Sequence, residues 1–196
     1  KTPDNSDVID FVTIASAGNA VDFGNLIAAR NQTSGASSHT RGVMGGGHDP
    51  GKTNTNIGFV TMSTTGNAAD FGDLTVGRSA FSGASNSVRG LFMGGMTPTR
   101  QDVIDYVNIA STGNATDFGN LQTAISSSAS AVSPTRALKA GGNTPYIDEI
   151  DLLEISTTGN ATDFGNLSTA TADIIGVSSS TRGAFMGGDQ NPATTT

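Results

Sequence analysis

The chain has 196 residues, of which 35% are hydrophobic and only 6% aromatic, with no Cys, no Trp and a net charge of −7. This acidic balance argues against a nucleic-acid partner, because binding to phosphates needs clustered Lys or Arg. No apolar run approaches the roughly 20 residues that cross a bilayer, so membrane insertion is not expected. The absence of Cys excludes disulfides and thiolate chemistry.

The first predicted strand, VIDFVTI at residues 8–14, is short and rich in β-branched residues. A Gly-Asn turn follows at Gly18, and after it come a strand through Asp-Phe-Gly and a strand rich in Ser, Ala and Gly. An apolar strand then begins after Arg41 and ends in a diglycine. No segment shows helical periodicity over 11 or more residues, so we expect an all-β chain.

The same order of elements recurs four times. The turn glycines are Gly18, Gly66, Gly113 and Gly159, and the diglycines begin at Gly46, Gly94, Gly141 and Gly187. In all four units the turn glycine precedes its diglycine by 28 residues, whereas the segment after the diglycine differs in length. All variation in length therefore falls in one loop, and the remainder is expected to be a rigid unit.

These units resemble the Kelch repeat across essentially the whole chain. The diglycines match in all four units, and an arginine that opens the small-residue strand is present at Arg30 and Arg78 but replaced by Ile125 and Thr171. Aromatic residues stand where Kelch repeats place Trp and Tyr; the first set is Phe23, Phe71, Phe118 and Phe164, and the second is Phe11, Phe59 and Tyr106. The sequence motifs of the repeats, TGNATDFGNL and TRGxFMGG, also resemble repeats in structural and tail-associated proteins of marine bacteriophages.

The resemblance implies one β-propeller domain over residues 1–196, with four Kelch-like blades of four strands each. The chain begins with the last two strands of a blade and ends with the first two. We therefore expect the C-terminal strands to complete the N-terminal blade, and the alternative is that the four units belong to a longer array. The Gly/Ala/Ser strand suits the innermost position, where blades converge and only small side chains fit.

Several motifs suggest chemistry that their context does not support. GGHDPGKT, Gly46 to Thr53, fits a phosphate-binding loop, but a strand is predicted after it and the other units lack it. Four copies of Asp-Phe-Gly at repeat spacing indicate architecture, and their aspartates are expected to accept hydrogen bonds from turn amides or to meet the recurrent arginines, such as Arg41 and Arg89.

Metal binding has weak support in the sequence. Asn114, Asp117 and Asn120 are oxygen-bearing, and Ca²⁺ remains an alternative, but each unit offers only one or two carboxylates whereas Ca²⁺ prefers 6–8 oxygen ligands. The two histidines, His39 and His48, lie in the first unit without a nearby Cys. We therefore predict no cofactor, no metal and no catalytic residue.

A contact function is expected instead. The chain is interpreted as a non-enzymatic module of a virion, in a tail fibre or decoration protein, or of an extracellular protein, which contacts a cell-surface glycan or a protein neighbour and is able to form a homo-oligomer. The alternative is a carbohydrate-active or other enzyme that uses the propeller face as its pocket, and convergent Asp, Glu, His or Tyr from several units would favour it.

The variable loops are the predicted contact surface, because binding residues are disproportionately carried on loops that a rigid scaffold holds. In a four-stranded meander, the loop after the second strand and the link to the next unit emerge on the same face. The side chains there best suited to contact are His48, Arg100 and Tyr146, which are aromatic or offer several hydrogen-bond donors.

Overall fold

The computed structural model describes residues 5–49 and 51–190, and every regular element within them is a β-strand. The predicted all-β class is therefore confirmed. Most strands have four to six residues, because glycines and small polar residues interrupt the apolar runs at short intervals.

The chain opens with an antiparallel pair, here the N-terminal hairpin, followed by the four-stranded sheet A. The N-terminal hairpin contains β1 (Ser6–Phe11) and β2 (Val21–Arg30). Sheet A contains β3 (Ser34–Ser37), β4 (Arg41–Gly45), β7 (Asn56–Thr61) and β8 (Ala69–Asp73). A small hairpin of β5 (His48–Asp49) and β6 (Lys52–Thr53) leaves sheet A between its second and third strands.

Two further sheets repeat this plan, and the described strands end with the C-terminal hairpin. Sheet B contains β9 (Ser82–Ser85), β10 (Arg89–Met93), β13 (Val103–Asn108) and β14 (Thr116–Asn120), with the small hairpin β11 (Met96–Thr97) and β12 (Thr99–Arg100) inserted. Sheet C contains β15 (Ala129–Val132), β16 (Arg136–Ala140), β17 (Glu149–Glu154) and β18 (Thr162–Asn166). The C-terminal hairpin is β20 (Ile175–Ser178) with β21 (Gly183–Met186), and β19 (Thr171–Ala172) pairs with β22 (Asp189–Gln190) beside it.

A β-bulge accounts for the recurrence of Asp-Phe-Gly. In sheet B, Ile104 faces Gly119 and Asp105 faces Asp117, so Phe118 is the extra residue of its strand. Phe118 turns into the core, where it is 3% exposed, and Gly119 follows with φ +142°, a conformation that residues with a side chain rarely adopt. Asp117 Oδ1 accepts a hydrogen bond from the Gly119 amide at 3.2 Å, which confirms the predicted contact with a turn amide. The same bulge recurs in the other units at Phe23, Phe71 and Phe164.

The hydrophobic core lies between successive sheets. One cluster joins Val43, Ile57 and Phe71 of sheet A to Phe92 and Val107 of sheet B. A second cluster joins Leu91, Ile104 and Phe118 of sheet B to Leu153 and Ile155. Each sheet is therefore stabilised mainly by its neighbours, as in other repeat proteins.

The small-residue strands face a common space. Residues of β3, β9, β15 and β20 together line a cavity of about 730 Å³. A Cβ atom on Gly83 would clash with the carbonyl of Gly35, and one on Gly176 would clash with the carbonyl of Ser130. The inner strands thus approach so closely that they need glycine, as the sequence predicted for this strand.

One set of contacts, here the repeat junction, attaches the turn glycine of each unit to the outer strand of the unit before it. Between sheets A and B, the Gly113 amide donates to the Phe71 carbonyl at 2.7 Å, and the Ala115 amide donates to the Asp73 carbonyl at 2.8 Å. Asn114 Oδ1 accepts a hydrogen bond from the Asp73 amide at 3.1 Å. The equivalent bonds at Gly66 and Gly159 join the N-terminal hairpin to sheet A and sheet B to sheet C.

The two ends of the chain are not joined within the described residues. There β1 pairs with β2, β21 pairs with β20, and no pairing connects β1 to β21. The structure therefore shows repeated four-stranded antiparallel sheets about a common cavity, and closure into a four-bladed propeller stays a prediction.

Candidate functional site

The loops that connect the strands lie at two opposite ends of the sheets, here called the loop face and the turn face. The loop face comprises residues 46–49, 51–55, 94–102 and 141–148 together with the links between sheets. Arg78, in the link from sheet A to sheet B, donates its amide hydrogen to the Asn54 carbonyl at 3.2 Å. The structure thus brings the loop after the second strand against the link, as the sequence predicted. The turn face comprises the inner hairpin turns and the turns at Gly66, Gly113 and Gly159.

Hydrogen bonds between neighbouring units hold the loop face in place. The hydroxyls of Thr53 and Thr97 lie 2.7 Å apart across two small hairpins. Arg100 extends this series to the next loop, where its Nη2 donates to Thr144 Oγ1 at 2.8 Å and to Asn143 Oδ1 at 3.2 Å. Three successive loops therefore form one connected surface.

The three predicted contact residues all lie on this surface, and all are half-buried. Arg100 contacts the loop that carries Tyr146, so these two belong to one part of the face. His48 belongs to another part, because its amide and carbonyl pair with the backbone of Asn31, which directly follows β2. The structure gathers the predicted residues on one face but does not converge them on one point.

The structure does not support a phosphate-binding loop at GGHDPGKT, because a strand and not a helix follows it. His48–Asp49 and Lys52–Thr53 pair as two short antiparallel strands, and β7 follows within the same sheet as β4. A phosphate site of that kind needs the amides of a helix N-terminus, and a strand stands in its place. Pro50 of this motif lies outside the described residues.

The oxygen-bearing side chains in and after the Gly-Asn turns already form hydrogen bonds within the protein. Asn114 and Asp117 accept the backbone hydrogen bonds described above, and Asn120 Nδ2 donates to Asp102 Oδ2 at 3.1 Å. Within residues 5–49 and 51–190, no group of three or more His, Asp or Glu side chains is arranged to hold a metal ion.

The recurrent arginines do not meet the aspartates of the bulges. Arg41 and Arg89 donate instead to the carbonyls of Ile109 and Ile155 in the following sheet, at 3.1 and 2.9 Å. Each guanidinium also lies over an aromatic ring of its own sheet; the Arg89 carbon is 4.6 Å from the centre of the Tyr106 ring. These arginines thus link neighbouring sheets by a carbonyl contact and a cation–π contact.

Two buried ion pairs lie beneath the loop face. Arg78 and Asp105, both with fully buried side chains, meet at 2.8 Å in sheet B. Burial lowers the pKa of the Arg78 guanidinium, and the charge and hydrogen bond of Asp105 oppose this shift. In sheet C the buried Lys139 lies 3.1 Å from Asp151 and 3.4 Å from Glu149. The side chains of Arg78, Asp105, Lys139 and Asp151 are fully buried and so do not form part of the exposed surface of the loop face.

The structure also shows a concave site that the sequence analysis missed. Inner hairpin turns from all four units surround a cavity of about 600 Å³ on the turn face, and residues 37–39, 85–87, 132–134 and 178–180 line it. The sequence signal is the run of Ser, Thr and Asn before each recurrent arginine. Much of this polarity serves the turns, since Ser38 Oγ and Asn86 Oδ1 accept hydrogen bonds from local backbone amides.

Of the residues that the structure describes, none belongs to a helix long and apolar enough to span a bilayer. Comparison with protein-family models finds no match for this chain, and comparison with curated proteins also finds none.

Proposed function

We propose that this chain is a non-enzymatic contact module, a Kelch-type propeller of a virion tail or decoration protein or of an extracellular protein. Its loop face binds a cell-surface glycan or a neighbouring protein. The observation that carries this proposal is the bracing of three successive loops by the Thr53–Thr97 and Arg100–Thr144 contacts.

The fold supports the proposal in two ways. Three sheets of four antiparallel strands repeat in chain order, and the inner strands of all four units line one cavity, as blades of a propeller do. The repeat junction fixes each sheet against the next by backbone hydrogen bonds. A rigid scaffold of this kind lowers the entropy lost when its loops bind a partner.

The chemistry of the loop face suits contact more than catalysis. Arg100 offers a fork of donors, Tyr146 offers a ring and a hydroxyl, and the intervening residues are mainly Thr, Asn, Pro and Gly. Hydroxyl and amide groups match the hydroxyls of a glycan, and a half-exposed tyrosine supplies a flat apolar surface for a sugar ring or a protein side chain.

The decisive experiment is binding of the purified chain to host cells and to a glycan panel, with variants on each face. Tyr146→Ala and Arg100→Ala should weaken binding about tenfold or more if these residues are central contacts. His39→Ala and Ser87→Ala, which remove exposed side chains of the turn face, are the matched controls and should leave binding unchanged.

Two results would contradict the proposal. Loss of binding in the controls, with the loop variants unaffected, would move the site to the cavity of the turn face. Cleavage of a bound glycan, detected as shortened products by mass spectrometry, would favour the enzyme alternative.

A further inference from the structure

Most of the exposed apolar side chains at the two ends of the chain occupy positions that are buried in other units. Ile14 is 98% exposed and Met62, its equivalent in sheet A, is 53% exposed, whereas the equivalents Ile109 and Ile155 are 0% exposed. Phe164 is 53% exposed, whereas Phe71 and Phe118 are each 3% exposed. Val12, Val177 and Met186 show the same contrast with their interior equivalents. This exposure therefore marks two incomplete interfaces.

Among the described residues, the repeat junction is likewise complete at three places and unpaired at its next position. Its next donors would be the amides of Gly18 and Ala20 in the N-terminal hairpin, and its next acceptors the carbonyls of Phe164 and Asn166 in β18. Gly165 keeps φ +137°, close to the +142° of Gly119, yet a Cβ atom on Gly165 would meet nothing within 4 Å. The outer strand of sheet C is thus already shaped to receive the turn of a following unit.

A cavity lies where that unit would fit. It measures about 520 Å³ and lies between sheet C and the C-terminal hairpin, with Leu138, Phe164 and Arg182 among its lining residues. In sheets A and B the second strand pairs instead with a third strand, and the third strand pairs with a fourth. The N-terminal hairpin consists of those two strands.

Within the described residues, the chain's own N-terminal hairpin forms no strand pairing with the C-terminal hairpin. Three junctions with the same hydrogen bonds, at 2.7 and 2.8 Å, set the step from one unit to the next. After these steps β1 and β21 remain unpaired within the described residues.

We infer that the N-terminal hairpin of a second copy docks onto the C-terminal end of the first, so that β1 of one copy pairs with β21 of the other. The interior sheets give the register: Arg41 faces Thr61, Val43 faces Phe59 and Gly45 faces Ile57. By repeat equivalence Arg182 faces Thr13, Ala184 faces Phe11, and Met186 faces Ile9. The contact is head-to-tail, so it joins copies into a ring or an open chain.

Because the chain has no Cys, disulfide mapping tests this register directly. Thr13→Cys and Arg182→Cys are made as separate variants, since both side chains are exposed, and equal amounts are mixed and oxidised gently. We expect a 13–182 disulfide between chains to form much faster than the 13–13 or 182–182 links, as read by non-reducing electrophoresis and mass spectrometry. Equal rates for all three links would show random collision and would overturn the inference.

The double variant separates a second copy from closure within one chain. If the inference holds, Thr13→Cys with Arg182→Cys gives linked dimers or higher species in proportion to concentration. A 13–182 disulfide confined to monomers at every dilution would show that the chain closes on itself, and the inference would fail.

A matched pair of surface variants gives an independent measurement. Ile14→Asp should weaken association, measured by light scattering or sedimentation, about tenfold or more, because a buried isoleucine is replaced by a charge at the contact. Val88→Asp is the control, because Val88 is 54% exposed but lies in an interior turn away from both ends. Equal loss of association in both variants, or none in Ile14→Asp, would overturn the inference.

Discussion

Sheets B and C bury a carboxylate at the same position but neutralise it with different cations. In sheet B the partner of Asp105 is Arg78, which comes from the link before the inner strand. In sheet C that link position is Ile125, and the partner of Asp151 is Lys139 from the second strand. Lys139 is the equivalent of Phe92, so the cation and the apolar residue have exchanged places. Sheets B and C thus share a neutralised charge at this site, although a different position supplies the cation in each.

The two pairs also differ in geometry. The Arg78 guanidinium donates to Asp105 at 2.8 Å and to the Phe92 carbonyl at 3.0 Å, while Thr75 adds a hydroxyl donor to the same carboxylate. Lys139 approaches Asp151 at 3.1 Å without forming a well-directed hydrogen bond. The carboxylate in sheet B is therefore better satisfied than that in sheet C, although Arg78 Nε is buried without a hydrogen-bond partner.

Sheet A completes the comparison by lacking the carboxylate. Gly58 stands where the other sheets have aspartate, and Arg30 donates to the carbonyls of Gly46 and Asn56 instead, at 2.9 and 3.2 Å. An arginine at this link position is therefore useful even without an ion pair, because it satisfies backbone carbonyls.

The largest expected effect is that of Arg78→Met. It leaves Asp105 buried without a cation, and breaking a buried pair in this way costs about 3–5 kcal/mol of the free energy of unfolding. Arg30→Met is the matched control, and because it strands no carboxylate its loss should be only about 1–2 kcal/mol. Urea denaturation of both variants measures the difference. Equal losses would mean that the charge at Asp105 contributes nothing specific.

Moving the cation in sheet C tests whether the two positions are interchangeable. Lys139→Phe should cost about 2–4 kcal/mol, somewhat less than the loss at Arg78, because the Gln122 amide still donates to Asp151. Adding Ile125→Arg rebuilds the arrangement of sheet B and should restore at least half of the loss. A double-mutant cycle gives the coupling between the two positions. Additive effects would show that residue 125 does not reach Asp151 in sheet C.

The sequence predicted the repeat and the all-β class because both follow from residue spacing and turn chemistry. It predicted the close approach of the inner strands, because glycine is favoured where two backbones lie close together. It also predicted the hydrogen bond that Asp117 accepts from a turn amide, because Asx side chains commonly bond to the backbone of a turn. It did not predict the partners of Arg89, since these are a carbonyl and a ring brought near only by packing of neighbouring sheets.

The sequence likewise predicted some features of the candidate site and not others. The variable loops mark the loop face in the sequence, because only there does the spacing between repeats change. The bond from Arg100 to Thr144 spans 44 residues, and no local pattern encodes it. The cavity on the turn face was missed because its serines match the usual composition of tight turns.

The outer strands of sheets B and C allow a test of the repeat junction. Gly119→Ala places a Cβ atom against the Gly159 carbonyl, whereas Gly165→Ala in sheet C meets nothing, and the two glycines have nearly the same φ. The backbone strain is therefore common to both variants, and the clash is confined to Gly119. At concentrations low enough to keep copies of the chain apart, we expect Gly119→Ala to be less stable than Gly165→Ala by about 1–3 kcal/mol in urea denaturation. Indistinguishable midpoints would show that the junction yields without loss of stability.

The smallest expected effect concerns the recurrent arginine at the start of the second strand. In sheet B, Arg89 is half-buried, donates to the Ile155 carbonyl at 2.9 Å and lies over Tyr106. In sheet C the aromatic position is Leu152, and Arg136, with its side chain 57% exposed, pairs with Glu154 at 2.7 Å. An exposed pair of this kind contributes about 0.2–1 kcal/mol, so Arg136→Met should lower the free energy of unfolding by no more than this. Arg89→Met removes a half-buried carbonyl contact and a cation–π contact, and should lower it by about 1–2 kcal/mol. Salt separates the two further, because added NaCl screens the exposed pair of Arg136 and leaves the half-buried contact of Arg89 largely unchanged. A loss at Arg136 equal to that at Arg89, and insensitive to salt, would mean that both arginines serve the same buried contact.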